Sequence, residues 1–378
     1  MDDKIRQTLS LHQVSTSNYF NKNFLSVKIV GAQFHMLAVR IWVPTKKRWI
    51  SLKEGNNFFK SKEMIHLALQ CLYYVNIPIG VCVIQRGLGG KCHVYSIKEK
   101  RAEELPNVLQ RRLEQIKEQS PFNSELTFGA DVEGLLYHEK RKKYITASSL
   151  FKQNDRLGYD NAMIVRENKT KNHILELRPL PGKNGKELYT NLVLEYEKLL
   201  EVTRKYDLSV IGGANPVSSV MLGGHIHVGN KNLNFQVVRT LDLFFGIPMS
   251  LTEDQGAVQR RKTYGRLGSV KMNKYNGFEY RTLPSWIEQI PDMLPVFRWY
   301  CLLLKNAHLF QDGRLPSKLL NGYYTQNNKF LETEVKKVHG KALSVLHRPS
   351  HKEIANEFFE LVLEKSVSNN KEFAGNML

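Results

Sequence analysis

The first third of the chain alternates short runs rich in Val, Ile and aromatic residues with apolar residues at helical spacing. The runs predict five strands, at residues 24–30, 37–43, 48–52, 79–85 and 91–97. The helical spacing predicts helices at 61–74, with Ser61 as the N-cap, and at 100–119. Residues 120–124 are typical of a linker, so the pattern predicts a small α+β domain over residues 1–120.

The remaining residues, 121–378, are predicted to form a second domain in which strands and helices are interspersed. The strands are predicted at 125–133, 144–147, 162–166, 173–178, 224–228 and 277–283. Helices are predicted at 188–206, 234–246, 287–310 and 352–365, and a Gly- and Arg-rich loop at 255–268. Because there is no regular βαβ spacing, we expect an α+β fold with a largely antiparallel sheet.

Composition limits the class of protein. A hydrophobic content of 42% over 378 residues is enough for a substantial core and for two domains. The four cysteines lack C-x-x-C spacing and are predicted to be reduced thiols. The amino terminus does not resemble a signal peptide, and the most apolar helical segment carries charges, so we expect no membrane span and a cytoplasmic protein, in a bacterial or phage-infected cell.

The charge of the chain is strongly positive. The formal net charge is +19, and residues 1–120 hold 19 Lys and Arg against 9 Asp and Glu, a surplus of 10. Such a surface attracts nucleic acid, anionic lipid or acidic substrates. Nucleic acid is therefore a possible partner of the basic first domain, although charge alone does not choose among these ligands.

Four trios in the second domain place two ionisable residues on either side of an apolar or aromatic one. They are Asp131-Val132-Glu133, Glu176-Leu177-Arg178, His225-Ile226-His227 and Glu279-Tyr280-Arg281. In a strand, residues i and i+2 point to the same face, so each trio offers two ionisable groups on one side. On neighbouring strands the four pairs would line one face with groups that suit divalent cations and phosphate, and that are costly to bury otherwise.

Each feature also has a simpler explanation. A carboxylate pair is compatible with a solvated strand face, a histidine pair with hydrogen-bonded sheet residues, and an E-x-R pair with a surface ion pair. Residues 259–271 add five basic side chains around two glycines, which favours a phosphate-binding role. A nucleic-acid patch, with Tyr264 available to stack, remains an alternative for this segment.

Taken together, these motifs resemble a known family. G-A-D-V-E-G, L-G-Y-D-N, E-L-R-P, G-G-H-I-H-V-G, Y-G-R-L-G and G-F-E-Y-R-T-L-P-S-W occur in the order found in phage-associated amidoligases. These are carboxylate–amine ligases (type 2) of the glutamine synthetase and glutamate–cysteine ligase superfamily, and the resemblance covers roughly residues 125–290. It implies an antiparallel sheet that forms a partial barrel with flanking helices. It also implies ATP and Mg²⁺ (or Mn²⁺) as cofactors, and an acyl phosphate that an amine converts to an amide.

The resemblance also implies roles for individual residues. The metal ligands would be Asp131, Glu133, Glu176, His225 and Glu279. Phosphates or the acyl carboxylate would be held by Arg178, Arg261, Arg266 and Arg281, and the nucleotide by His227. Asp160 would hold or deprotonate the amine, which must be neutral to attack. In two departures from the family pattern, Asn161 replaces a glycine and Lys271 replaces an arginine, so the cofactor contact at Lys271 lacks the bidentate fork.

Three functional hypotheses follow. The first is an ATP-dependent ligase that joins a carboxylate and an amine carried by an amino acid, a peptide or a protein. The second is a phosphotransferase on the same scaffold, with a stable phosphorylated product. The third is an inactive protein that binds nucleic acid or another acidic polymer through its basic first domain.

Overall fold

The structure is a computed structural model, and it describes residues 1–51, 59–118, 125–162, 164–166, 169–218, 220–310 and 315–375. The chain divides into two compact units. The first unit contains residues 1–122 and 232–238, and the second contains residues 123–231 and 239–378. The predicted linker at 120–124 lies outside the described residues.

The first unit is built around a five-stranded antiparallel sheet. Its strands are β1 (Ser26–Ala32), β2 (His35–Val43), β3 (Arg48–Ser51), β4 (Ile79–Arg86) and β5 (Cys92–Glu99), in the order β3-β2-β1-β4-β5. Its helices are α1 (Asp3–Leu11), α2 (Phe59–Tyr74) and α3 (Asn107–Glu118). All five predicted strands are confirmed.

The helix boundaries in this unit differ from the prediction. α2 begins at Phe59, so Ser61 lies inside the helix and is not its N-cap. The helix predicted from residue 100 begins only at Asn107, directly after Pro106. Proline fixes φ and lacks an N–H, so it is suited to the start of a helix and not to its interior. The charged pattern of residues 100–106 resembled a helix, but the proline sets the start.

The second unit contains an eight-stranded antiparallel sheet and a separate hairpin. The sheet strands are β6 (Thr127–His138), β7 (Lys143–Ile145), β8 (Leu157–Tyr159), β11 (Leu175–Leu177), β12 (Ser209–Ile211), β13 (Gly224–Gly229), β14 (Val270–Met272) and β15 (Phe278–Tyr280). Their order is β14-β15-β13-β6-β11-β8, with β7 and β12 also paired to β6. β9 (Ile164–Arg166) and β10 (Lys169–Lys171) form the hairpin. Among the described strands β14 and β8 do not pair, so the sheet is open and the predicted partial barrel is not confirmed.

Helices account for most of the rest of this unit. They are α4 (Gly185–Tyr206), α5 (Phe235–Leu241), α6 (Ile247–Met249), α7 (Gly256–Arg260), α8 (Met293–Lys305), α9 (Ser317–Thr325), α10 (Asn328–Val345) and α11 (Pro349–Gly375). The first four residues of α5, 235–238, belong to the first unit. A π-helical turn, Asp242–Gly246, connects α5 to α6. The helix predicted at 287–310 is divided, because a 3-10 turn that contains Pro291 precedes α8. α1, α9 and α10 were not predicted, and α7 lies within the segment predicted to be a loop.

The large sheet has one apolar face and one polar face. The middle residue of each trio (Val132, Leu177, Ile226, Tyr280) is fully buried on the apolar face. On that side the hydroxyl of Tyr300, in α8, donates to the carbonyl of Ile226 at 3.3 Å. The ionisable residues of the trios therefore project from the opposite face, as the period-2 pattern predicted.

Two further predictions concern the whole chain. All four cysteines, which lie in the described part of the chain, are reduced thiols, and three of them are buried, as the sequence predicted. Within the described residues, no helix combines the length and the apolar character needed to cross a membrane.

Candidate active site

The strand register brings the four ionisable pairs together on the polar face. His225 of β13 lies opposite Asp131 of β6. On the other edge of β13, His227 lies opposite Glu279 of β15. On the other edge of β6, Glu133 lies opposite Glu176 of β11. Residues directly opposite each other in an antiparallel pair point to the same face, so these side chains form one continuous polar surface across four strands.

Asp131 lies between the two imidazoles. Its Oδ1 is 2.7 Å from Nδ1 of His225, and its Oδ2 is 2.9 Å from Nε2 of His227. Burial raises the pKa of Asp131, but the two histidines outweigh it and hold the pKa well below its usual range. Burial dominates at His225, whose pKa is lowered. At His227 burial also lowers the pKa, but the contact with Asp131 outweighs it and the pKa is raised.

Three carboxylates cluster at the β6–β11 end of this face. Oε2 of Glu133 accepts the N–H of Gly223 at 2.6 Å. Burial raises the pKa of Glu133 to about 8, and the negative charges of Asp160 and Glu176 add to the rise. Burial also raises the pKa of Glu176 to about 7, with Asp131 contributing. Carboxylates that raise each other's pKa in this way are electrostatically suited to a cation between them.

Glu279, Arg281 and Lys271 form the cationic end of the same face. Nη1 of Arg281 is 2.9 Å from Oε2 of Glu279, and Nζ of Lys271 is 3.4 Å from the same oxygen. The charge of Arg281 lowers the pKa of His225. This end therefore has the groups needed to hold an anionic phosphate next to a carboxylate.

The side chains on this face are of the kinds that bind a divalent metal ion, but they are not already arranged as a complete coordination shell. Among the described residues, no group of three or more His, Cys, Asp or Glu side chains is arranged to hold a metal ion. Asp131 is engaged by both histidines, whereas Glu133 and Glu176 are held near each other with raised pKa values. Carboxylate oxygens are the ligands that Mg²⁺ prefers, and Mg²⁺ keeps part of its water shell, so one or two of them are enough.

Arg178 is near the polar face but is already bonded. Its Nη1 donates to the carbonyls of Gln153 and Asp155 at 3.0 and 3.2 Å, and its Nη2 donates to the carbonyl of Tyr159 at 3.1 Å. Nη2 also pairs with Glu176. These bonds hold the segment that leads into β8. They also occupy Nη1 and Nη2 of Arg178, the two nitrogens with which a guanidinium group would bind a nucleotide phosphate.

Two other predicted phosphate ligands are engaged elsewhere. Arg261 is 1% exposed, pairs with the buried Glu253, donates to the carbonyl of Tyr323 at 2.6 Å and packs over the Tyr323 ring. Arg266 turns back on its own loop and donates to the carbonyls of Lys262 and Thr263. The structure thus does not place the Arg261 guanidinium on the polar face, and the bonds of Arg266 hold its own loop.

The sequence analysis missed Arg260 as a separate candidate. Arg260 is buried and donates to the carbonyl of Thr282 at 2.7 Å. Its charge acts on His225, and the charge of Glu133 acts on it. Gly265 leaves room for it, since a Cβ there would overlap the Arg260 guanidinium, and the φ of Gly265 is +67°. Arg260 is the last residue of α7 and Arg261 follows it with helical φ and ψ, so the two side chains point about 100° apart.

Comparison with known proteins assigns the class. A family model for carboxylate–amine ligases matches residues 128–373, which is more than half of the chain. The model is described as "Phage phiEco32-like COOH.NH2 ligase-type 2", and the chain belongs to this family. The resemblance stated from the motifs is confirmed. Ligases of this kind join a carboxylate to an amine, so the protein is a C–N bond-forming ligase.

Other comparisons add little. A search of curated proteins finds no match. Among solved structures, the chain is similar to the glutamine synthetase of Plasmodium falciparum, determined by cryo-EM. The identity is 9%, the match covers 80% of this chain and 78% of that chain, and the TM-score is 0.31. A similarity of this size supports no functional argument.

Proposed function

We propose that this ligase uses ATP and Mg²⁺ (or Mn²⁺) to form an amide through an acyl phosphate. The γ-phosphoryl group would pass from ATP to an oxygen of the carboxylate substrate, and ADP would leave. The amine nitrogen would then bond to the acyl carbon, phosphate would leave, and one proton of the nitrogen would pass to a base. The observation that carries this proposal is the convergence of four carboxylates, two histidines and two cationic side chains on one sheet face.

The acidic residues are the proposed metal ligands. Glu133, Glu176 and Glu279 would offer carboxylate oxygens, and Asp131 and His225 would complete the set. Bound Mg²⁺ would neutralise phosphate charge and orient the transferring group. Asp131 has a second task in this proposal, because its contacts with both imidazoles fix the orientation of the rings.

The cationic residues are the proposed phosphate ligands. Arg281 offers a planar guanidinium beside Glu279, and Lys271 adds a point charge from the neighbouring strand. Together with His227 they would hold the phosphates and stabilise the charge that develops during transfer. Arg260 would support this group, since it donates to the backbone carbonyls of Arg281 and Thr282. Arg178, Arg261 and Arg266 are left out because Nη1 and Nη2 of each already donate to protein groups.

Asp160 is the proposed base for the amine. It lies close enough to Glu133 and Glu176 for its charge to raise both of their pKa values. Its Oδ1 accepts the N–H of Ala162 at 2.6 Å, which holds the carboxylate in place. An amine must lose its proton to attack, and a fixed carboxylate near the acyl carbon can accept it.

We also propose a division of the chain into two domains. Residues 121–378 would form the ligase domain, and residues 1–120 a small basic domain. The start of the family match at residue 128 supports this boundary. No comparison supports a nucleic-acid partner for the first domain, so nucleic acid is not part of the proposal.

Binding and trapping experiments test the proposed function. Isothermal titration should show Mg·ATP binding by the full chain, and hydroxylamine should trap acyl phosphate as hydroxamate with a suitable carboxylate. Glu279→Gln should reduce hydroxamate formation at least ~100-fold, because it removes a metal ligand and the partner of Arg281. Glu201→Gln, which removes an exposed carboxylate from α4, is the matched control.

The outcomes separate the hypotheses. Absence of Mg·ATP binding, together with no effect of Glu279→Gln, would refute the ligase mechanism. A stable phosphorylated product without any hydroxamate or amide would instead identify a phosphotransferase.

A further inference from the structure

A second acidic feature of the ligase unit is a cavity of about 270 Å³. One wall is formed by residues 283–286 and 288–289, which follow β15. The facing wall is formed by residues 252–254, with Gly213 and Met249 completing the lining. None of the four pairs on the polar face of the sheet lines this cavity, so it is a separate candidate site.

One carboxylate lies deep in the cavity wall. Glu253 is 6% exposed, and its Oε2 pairs with Arg261. Its Oε1 is buried and has no hydrogen-bond partner among the described residues. A buried carboxylate oxygen without a donor costs free energy. Burial raises the pKa of Glu253 and the charge of Asp254 adds to the rise, so a cation in the cavity would reduce the repulsion between these two carboxylates.

Two further carboxylates, Asp254 and Glu288, are exposed on the cavity lining and are held by backbone N–H groups. Asp254 accepts from Ala214 at 2.7 Å and from Gly256 at 2.6 Å. Glu288 accepts from Gly212 at 2.6 Å. These bonds fix both side chains, so little conformational freedom remains to be lost when a ligand binds. Among the described residues that line the cavity there is no lysine or arginine.

The cavity borders the proposed catalytic face at Glu133. Ser285, in the cavity wall, donates its hydroxyl to the carbonyl of Glu133. Pro284, in the same wall, pairs with Gly223, whose N–H donates to the carboxylate of Glu133. Burial lowers the pKa of Arg260, whereas the charges of Glu253 and Glu133 both raise it. Arg260 is therefore close to Glu253 in the cavity lining and to Glu133 on the polar face. A ligand in the cavity would therefore lie beside the proposed reaction centre.

We propose that this cavity binds the amine substrate, and that this substrate is an aliphatic amine with a second positive charge, such as a diamine or a lysine-like side chain. The inference rests on the proposed ligase function and names the class of its amine. The two exposed carboxylates, Asp254 and Glu288, favour an ammonium group and disfavour a substrate with a carboxylate beside its amine. The apolar residues of the lining, Met249, Leu283 and Trp286, suit a methylene chain. The volume is near the lower limit for small-molecule pockets and suits a group the size of one amino acid.

Direct binding of cadaverine to the full chain tests this proposal. Calorimetric titration should show binding to the wild-type protein without nucleotide. Glu288→Gln should weaken it about 10-fold, because it removes one charge that interacts with the ammonium group. Glutamine keeps an oxygen that accepts the N–H of Gly212, so the fold of Glu288→Gln should be unchanged. Asp254→Asn is the second variant, and Glu201→Gln is again the control.

A ligase assay separates failure of this inference from failure of the proposed function. With cadaverine and hydroxylamine as competing amines, Glu288→Gln should lower the ratio of cadaverine amide to hydroxamate about 10-fold, because hydroxylamine carries no second charge. If cadaverine binds in a Glu288-dependent manner but no ATP-dependent product forms, the binding site stands and the ligase mechanism fails.

Three results would overturn the inference. The first is no binding of cadaverine by the wild-type protein. The second is equal affinity in the wild type, Glu288→Gln and Asp254→Asn, which would place the amine elsewhere. The third is displacement of cadaverine by equimolar Mg²⁺ or by glutamate, which would identify a metal site or an amino-acid site.

Discussion

At the scale of single residues, contacts in the fold distinguish side chains of the same type that the sequence alone does not distinguish. Glu133 and Glu253 are both acidic, but one faces the polar surface of the sheet and the other pairs with Arg261 in the interior. Arg260 and Arg261 are neighbours in the sequence and are both buried, but Arg260 donates to the carbonyls of Arg281 and Thr282, whereas Arg261 pairs with Glu253. The function of an ionisable residue in this protein therefore depends on which groups it meets across the fold.

Glu133 should give the metal-free protein a distinctive pH dependence. Its pKa rises from 4.5 to about 8 on folding, so between these values the folded state binds a proton that the unfolded state lacks. The stabilisation is full below 4.5 and is lost as the pH rises through about 8. In EDTA, urea titrations across this window should show a smaller loss of unfolding free energy for Glu133→Gln than for the wild type. Parallel curves for the two proteins would contradict the burial of this carboxylate.

Replacement of Arg261 should lower the stability of the protein and should have no specific effect on catalysis. Arg261→Ala leaves Glu253 buried without its partner, and such a loss costs about 3–5 kcal/mol. The measurement is the free energy of unfolding in urea. The double substitution Arg261→Met with Glu253→Leu should recover most of it, because it removes both charges. If the Arg261→Ala protein had normal stability but no longer formed hydroxamate, Arg261 would instead be an active-site residue.

At the scale of elements, the strand β15 depends on a buried hydrogen bond next to the site. The hydroxyl of Tyr280 donates to Oδ1 of Asp242 at 2.8 Å, and Oδ1 also accepts the N–H of Gly268 at 3.0 Å. Asp242 lies in the π-helical turn, a type of turn that is often found at functional sites. Because Tyr280 lies between Glu279 and Arg281, this bond fixes the strand that carries both.

Gly246 should be required for this contact. A Cβ at Gly246 would overlap the hydroxyl of Tyr280, so Gly246→Ala should destabilise the protein by about 1–3 kcal/mol. Tyr280→Phe should cost about 1–3 kcal/mol by leaving Asp242 with one donor fewer. In the double variant the two losses should be less than additive, since phenylalanine removes the overlapping oxygen. Additive losses, measured by urea unfolding, would show that the two residues do not meet.

Several elements were predictable because their signals are local. The alternation of the trios predicted the two faces of the sheet, and the apolar runs predicted all five strands of the first unit. Boundaries were less predictable. α4 begins at Gly185, three residues before the predicted start, because Asn184 caps it by accepting the N–H of Glu187. The segment 255–268 was predicted to be a loop because its glycines and arginines obscured the short helix α7.

At the scale of the whole molecule, the chain consists of two compact units, and the proposed site lies within the second. The family match, residues 128–373, covers most of that unit and also includes residues 232–238 of the first unit. The large sheet does not close among the described strands, so a partial barrel is not confirmed. The net charge of +19 is consistent with anionic substrates such as nucleotides, since a positive potential attracts them from a distance.

By itself, the sequence determined which residues share a face, because strand alternation depends only on neighbours in the chain. It also determined the family, through motifs whose order and spacing survive without coordinates. The tertiary structure alone decided that Asp131 meets both histidines, that Arg261 belongs to the interior, and that Glu253 lines a cavity beside Glu133. These contacts join residues far apart in the chain, and their geometry depends on strand register and helix packing, which no local pattern specifies.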